Sequence, residues 1–150
     1  MTRVSFRCFI SMLLIVFFGI LGSSTAEAKR NKRIEKLFRE KRETIARMES
    51  TGYTCGIASY YAEYHHGRPM KNREKPFDMF DPRIVAHKEL PMETEVEIVN
   101  LENDRVITSV VEDRGPYKPG RVLDLSKAGA EHLAFVQEGL TVVCYRAISR

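Results

Sequence analysis

Asp113, Arg114, Gly115, Pro116 and Tyr117 stand at the end of the apolar run Val106-Ile107-Thr108-Ser109-Val110-Val111-Glu112. A strand that delivers a carboxyl, a guanidinium and a Gly-Pro turn to its tip sets those groups at the mouth of a β scaffold, within reach of a substrate. A carboxyl on so rigid a mount is suited to give and take a proton. Tyr60, Tyr61, Tyr64 and Tyr117 offer flat ring faces on which a ligand could stack, the alternative being that half of them are core. Other chemistries lack their signatures: there is no Gly-x-Ser-x-Gly, no Gly-rich phosphate loop, no His-Glu-x-x-His, and no cysteine beside a histidine as a nucleophile would be. His65 and His66 are adjacent and point apart on an extended chain, and His132 falls on an expected helix. No metal-ligand spacing results, and neither a metal nor another cofactor is expected.

The elements that must carry these groups are short. Cys55 to Tyr61, rich in aromatic and small residues, reads as a first strand, and polar Glu63 to Asp81, with Gly67, Pro69 and Pro76, reads as a long functional loop. Thr94 to Leu101 alternates, placing Val96 and Ile98 toward a core and Glu95 and Glu97 toward water. Glu102-Asn103-Asp104 turns the chain into a return strand, Arg105 to Glu112. Val122 to Leu125 is a short strand leading to Ser126, an N-cap for a helix over Lys127 to Phe135, and Leu140 to Ile148 closes the domain after Gly139. Six or so short strands with one or two small helices predict a mainly β fold closed into a barrel, which leaves no exposed edge.

The front of the chain differs. Arg3 and Arg7, the apolar run Phe9 to Leu21 and the small-residue site Ala26-Glu27-Ala28 predict a secretory signal peptide over residues 1–28, an uncleaved anchor being the alternative. Residues 29–52 predict a basic amphipathic helix or linker, with Ile34, Leu37, Phe38, Ile45 and Met48 near one face and Lys41-Arg42 interrupting the stripe. Residues 29–50 hold nine Lys/Arg against four Glu, whereas residues 51–150 hold 13 Lys/Arg against 15 Asp/Glu. The basic balance therefore belongs to the leader. Nucleic acid is not an expected partner of the nearly neutral domain, while the leader suits anionic lipid or cell-wall polymer. Export would leave Cys55 and Cys144 as an even pair in an oxidising compartment, either bridged or kept as two buried thiols. The apolar run is followed by no lipobox cysteine, so the expected location is the periplasm or cell envelope of a bacterium, not as a lipoprotein.

Eight blocks occur in order: Gly56 to Tyr61, His66-Gly67-Arg68, Asn72-Arg73-Glu74, Phe77-Asp78-Met79, Ala86 to Pro91, Val99-Asn100-Leu101, Asp113 to Tyr117 and Gly120 to Ser126. Together they resemble the rare lipoprotein A family, over about residues 53–148. The resemblance implies a six-stranded double-psi β-barrel over residues 53–150 and an endolytic lytic transglycosylase acting on the glycan strands of peptidoglycan. It implies a catalytic set of Asp113, Glu74, Asp78 and His87. His87 could bond Asp113 or a sugar hydroxyl, the alternative being a satisfied core histidine beside an apolar block. It further implies a groove lined by Tyr60, Tyr61, His66, Arg68, Arg114 and Tyr117. Arg73 stands where the family favours Gly, and the glycan-binding repeat domain that often follows the barrel in this family is not expected here.

In that reaction one carboxyl protonates the leaving oxygen and then deprotonates the muramic 6-hydroxyl, leaving a 1,6-anhydro end. Asp113 is the first candidate and Glu74 the second. Asp113 could instead cap a turn or pair with Arg114 or Arg121, Asp78 could cap its loop, and Asp124 reads as a hydrogen-bonded structural residue. Three other functions remain open: an expansin-like binding module that does not cut, a two-carboxylate hydrolase on the same barrel, and an envelope scaffold working through residues 29–50.

Overall fold

The computed structural model describes residues 25–71 and 75–149. Glu74 and most of the expected signal peptide lie outside the described residues. The chain divides into two compact units, residues 1–33 and 34–150. In the first, residues 25–33 are helical, and the side chains of residues 25–32 are exposed. Among the described residues no helix is long and apolar enough to cross a membrane.

The second unit begins within helix α1 (residues 25–40), followed by α2 (Arg42–Glu49). The single helix expected within residues 29–52 is thus two, broken at Lys41, whose φ of −95° and ψ of 8° leave the helical basin. The break falls where Lys41-Arg42 interrupts the apolar stripe. Each segment can then present its own apolar face: Ile34 and Leu37 are buried with Leu101, Leu140 and Val142, and Ile45 and Met48 pack against the same cluster.

Six strands follow: β1 (Thr54–Tyr60), β2 (Ile84–Ala86), β3 (Glu95–Asn100), β4 (Val106–Asp113), β5 (Arg121–Leu125) and β6 (Thr141–Ser149). They form a closed barrel in the order β1-β5-β2-β4-β3-β6, with β1·β5 and β2·β4 parallel and the remaining pairs antiparallel. The closed, mainly β architecture expected from the sequence is present. Val96 and Ile98 point inward with no exposed area, joined in the core by Val85, Val111, Leu123 and Phe135. β2 was not among the strands read from the sequence. Its three residues are buried on both faces, so no alternation marks it.

Helix α3 (Lys127–His132) starts as expected, the Gly129 N–H donating to Ser126 Oγ at 3.0 Å. It ends three residues before Phe135, with Leu133 as its C-cap and Ala134 at φ +53°. The long loop is more ordered than its polar composition suggests. A 3-10 turn (Glu63–His65) and a Pro69–Pro76 bridge fold it back, and Met70, Phe77 and Met79 are buried against Ile84 and Tyr61.

Two covalent or steric constraints bind β1 to its neighbours. Cys55 and Cys144 face each other directly across β1 and β6 and are joined by a disulfide spanning 89 residues. By chain entropy, closing such a loop contributes roughly 4.6 kcal/mol. Gly56 meets β5 so closely that an added Cβ would lie 2.4 Å from Val122 Cγ1. Val is stiff at χ1 and cannot simply swing away. Gly56→Ala is therefore expected to cost about 1–3 kcal/mol by overpacking, read as a lowered urea midpoint; an unchanged midpoint would show that β1 and β5 separate freely.

Candidate active site

Asp113 ends β4, and its half-buried carboxylate is held by three donors. Oδ1 accepts the backbone N–H groups of Lys71 at 2.9 Å and Arg114 at 2.8 Å, and Oδ2 accepts the Tyr61 hydroxyl at 2.7 Å. Two donors occupy the lone pairs of Oδ1, so a transferable proton on this carboxyl resides on Oδ2. Burial, and then the Asp113 carboxylate itself, push the Tyr61 phenol far above the ordinary tyrosine range. Tyr61 thus remains a donor at every working pH.

The cleft above this carboxyl has a volume of about 520 Å³. The end of β1 supplies Tyr60 and Tyr61, the 3-10 turn supplies Tyr64 and His65, and the β4–β5 connection supplies Arg114 to Lys118. Tyr64 and Tyr117 are 64 % and 77 % exposed. Tyr64 is braced by His65, with ring centroids 4.1 Å apart, and by the Arg68 guanidinium 5.2 Å from its own centroid. Tyr60 packs edge-on against Phe135 and donates to the Val136 carbonyl at 3.2 Å, so its ring is partly core. At the cleft wall Ser59 donates to Asp124, and Arg121 Nη1 donates to Ser59 Oγ at 2.9 Å. Gly115 turns the loop with φ +142°, a conformation that favours glycine, and precedes a cis peptide bond to Pro116.

The remaining expected residues sit elsewhere. His87 is buried, and its ring makes no bond to the Asp113 carboxylate. Nδ1 accepts the N–H groups of Glu89 at 3.0 Å and Leu90 at 2.8 Å, which leaves the proton on Nε2 to be donated to Tyr145 Oη at 2.7 Å. Its one tie to Asp113 among these bonds runs through the backbone, the His87 N–H donating to the Asp113 carbonyl at 3.2 Å. Burial lowers the His87 pKa; Glu89 opposes this, and Arg114 and Lys88 add to it. Arg114 Nη1 donates to the carbonyls of His87 and Leu90, so its guanidinium is committed to the β2–β3 connection although it borders the cleft. Asp78 is exposed and caps its loop by accepting the Phe80 N–H at 2.9 Å. His66 accepts the Met79 N–H at 3.3 Å, and neither it, Asp78 nor Arg68 lines the cleft.

Sequence reasoning missed the Lys71 amide, the place of His65 in the cleft, and Ser59; Asp124, read from the sequence as a hydrogen-bonded structural residue, is one, and Ser59 is its donor. Backbone amides carry no residue signature, but Ser59 lies within the block Gly56 to Tyr61 and could have been flagged there. Among the described residues no group of three or more His, Cys, Asp or Glu is placed to hold a metal ion.

Comparisons with known proteins bear on the family and the fold. The family model described as lytic transglycolase matches residues 53–145. An endolytic peptidoglycan transglycosylase RlpA of Neisseria meningitidis is 35 % identical over 136 residues, covering 85 % of this chain and 56 % of that protein. A probable endolytic peptidoglycan transglycosylase RlpA of Treponema pallidum is 43 % identical over 88 residues, covering 59 % of this chain and 27 % of that one. The chain thus spans about half or less of the length of these relatives. Among solved structures, a Clavibacter michiganensis expansin in complex with cellohexaose superposes with a TM-score of 0.51 at 16 % identity, covering 64 % of this chain and 50 % of that one, a likeness of fold alone. With the family model matched from Tyr53 into β6, over more than half of the chain, this protein belongs to the lytic transglycolase family of double-psi β-barrels, the group of rare lipoprotein A.

Proposed function

We propose that this chain is an endolytic lytic transglycosylase that cleaves the bond from N-acetylmuramic acid to N-acetylglucosamine in peptidoglycan strands. The observation that carries the reading is the Asp113 carboxyl: rigidly held, bordering an aromatic-rimmed cleft, with Oδ2 as the one oxygen left for proton transfer. Protonated Asp113 donates from Oδ2 to the glycosidic oxygen as the muramic C1–O bond breaks. The same oxygen then takes the proton of the muramic 6-hydroxyl as O6 bonds to C1. The product is a 1,6-anhydro end, no water is consumed, and the carboxyl regains its proton. Tyr64 and Tyr117 supply stacking faces for sugars on the strand. His87 acts as a neutral positioning group that fixes the turn to which Arg114 is tied.

Export to a bacterial cell envelope, after removal of a signal peptide over residues 1–28, belongs to the same proposal. The Cys55–Cys144 disulfide supports it, since such bonds persist in oxidising compartments. So do the exposed basic side chains Lys29, Arg30, Lys32, Lys36 and Arg39 of the leader, which suit a contact with anionic lipid or wall polymer.

Mass spectrometry of fragments released from purified glycan strands tests the reaction. Wild type is expected to yield anhydro-muramic ends, and Asp113→Asn to lose about 10²–10⁴-fold of that rate. Reducing ends would mean a hydrolase, and cosedimentation without release a binding module. Tyr61→Phe removes the donor on Oδ2 and is expected to lower the rate about 10- to 100-fold, the loss of one hydrogen bond to a charged group; an unchanged rate would remove Tyr61 from the account.

His87 makes a separate prediction about pH. Its folded pKa is depressed, so on acidification the unfolded chain takes up the proton first, and stability is lost as pH falls below the ordinary histidine value near 6.5. Between pH 7.5 and 5.5 the wild type should lose more unfolding free energy than His87→Gln. Equal losses would contradict the neutral, buried assignment.

A further inference from the structure

β4 alternates buried and exposed residues until its last turn, where Val111 and Glu112 are both buried. The register explains the break. Val85 of β2 faces Val111 while Ala86 faces Asp113, so Glu112 is the extra residue of a β-bulge, a device that re-aims side chains beside active sites. The Glu112 side chain is only 10 % exposed, its Oε1 lies 3.4 Å from Lys75 Nζ, and its Oε2 has no hydrogen-bond partner among the described residues. Leaving such an atom unsatisfied costs about 1–3 kcal/mol. The Lys75 side chain is 60 % exposed, so its solvated ammonium offsets little of that. An apolar residue would serve stability better at this position.

The next carboxylate along the strand gives the arrangement its meaning. Asp113 accepts the backbone N–H of Lys71, and Glu112 accepts from the ammonium of Lys75. Two successive carboxylates of one bulge thus hold Lys71 and Lys75, which lie close to the two ends of the Pro69–Pro76 bridge. We propose that Glu112 is a positioning residue for Asp113: by anchoring Lys75 beside one end of the Pro69–Pro76 bridge, it sets where Lys71, close to the other end, presents its amide to Oδ1. With that amide in place, Oδ1 is filled and the proton stays on Oδ2. If the anchor is lost, Oδ1 opens and the proton is divided between a productive and an unproductive oxygen. The clamp itself is a structural claim; its effect on turnover rests on the transglycosylase reading above.

The test uses the full chain with Glu112→Gln, Lys75→Met, the double variant, and Lys75→Arg as the conservative replacement. Hydrogen exchange at the Lys71 amide is expected to quicken about threefold or more in each single variant, with the double no faster than the faster single. On bare glycan strands kcat is expected to fall about 3- to 10-fold with KM changed less than about twofold, because the stacking tyrosines are untouched. Lys75→Arg should restore both readouts, and the urea midpoint of Glu112→Gln should be unchanged or higher. Unchanged exchange at Lys71, or a fall in kcat that tracks a fall in urea midpoint, overturns the proposal. If wild type releases no anhydro ends, the reading of function fails, and exchange at Lys71 alone decides the clamp.

Discussion

The hydrogen bond from Tyr61 to Asp113 is the interaction on which the site depends. It joins the residue after β1 to the last residue of β4, strands that β5 and β2 separate in the barrel order. No local element could hold those two groups together; only the closed barrel does. Closure in turn leans on β1, fixed to β6 by the antiparallel ladder and the Cys55–Cys144 disulfide, and to β5 by the close approach at Gly56. Because burial keeps the Tyr61 phenol protonated, the bond persists whichever state Asp113 adopts.

Around that bond, polar groups are consumed by structure in a consistent way. His87 gives its ring to Tyr145 and to two backbone amides, and Arg114 gives its guanidinium to two carbonyls of the same connection. Ser59, Asp124 and Arg121 bond one another along the wall. Such commitments follow from the cost of leaving polar atoms dry and unpaired. They also sort the residues: those tied to the main chain fix geometry, while Asp113 Oδ2, bonded only by Tyr61 among these contacts, keeps spare capacity. The ring of Tyr117 is likewise largely exposed.

Much of this was legible in the chain. Alternation at Val96 and Ile98 gave the inward face of β3, Ser126 marked the start of α3, and the apolar run into Asp113 marked the strand-end carboxyl. What was not legible depends on contacts between distant segments. Ile84-Val85-Ala86 carries no alternation because both faces are covered. Tyr61 has the composition of a sugar platform, and only the fold makes it a donor to a carboxylate 52 residues away. His87 looked like a partner for Asp113, but its ring partner Tyr145 lies 58 residues on. The bulge at Glu112 is a register shift between β2 and β4, and neither strand read alone contains it.

The claim at the centre is that Asp113 Oδ2 is the atom that meets the scissile linkage. A crystal structure of the Asp113→Asn variant with an intact glycan tetrasaccharide tests it most directly. The account predicts the bond from muramic acid to glucosamine lying in the cleft between Tyr64 and Tyr117. Its bridging oxygen would be within hydrogen-bond distance, about 3 Å, of the side-chain atom that replaces Oδ2. A tetrasaccharide bound with that linkage outside the cleft, or against a different carboxylate, would contradict it.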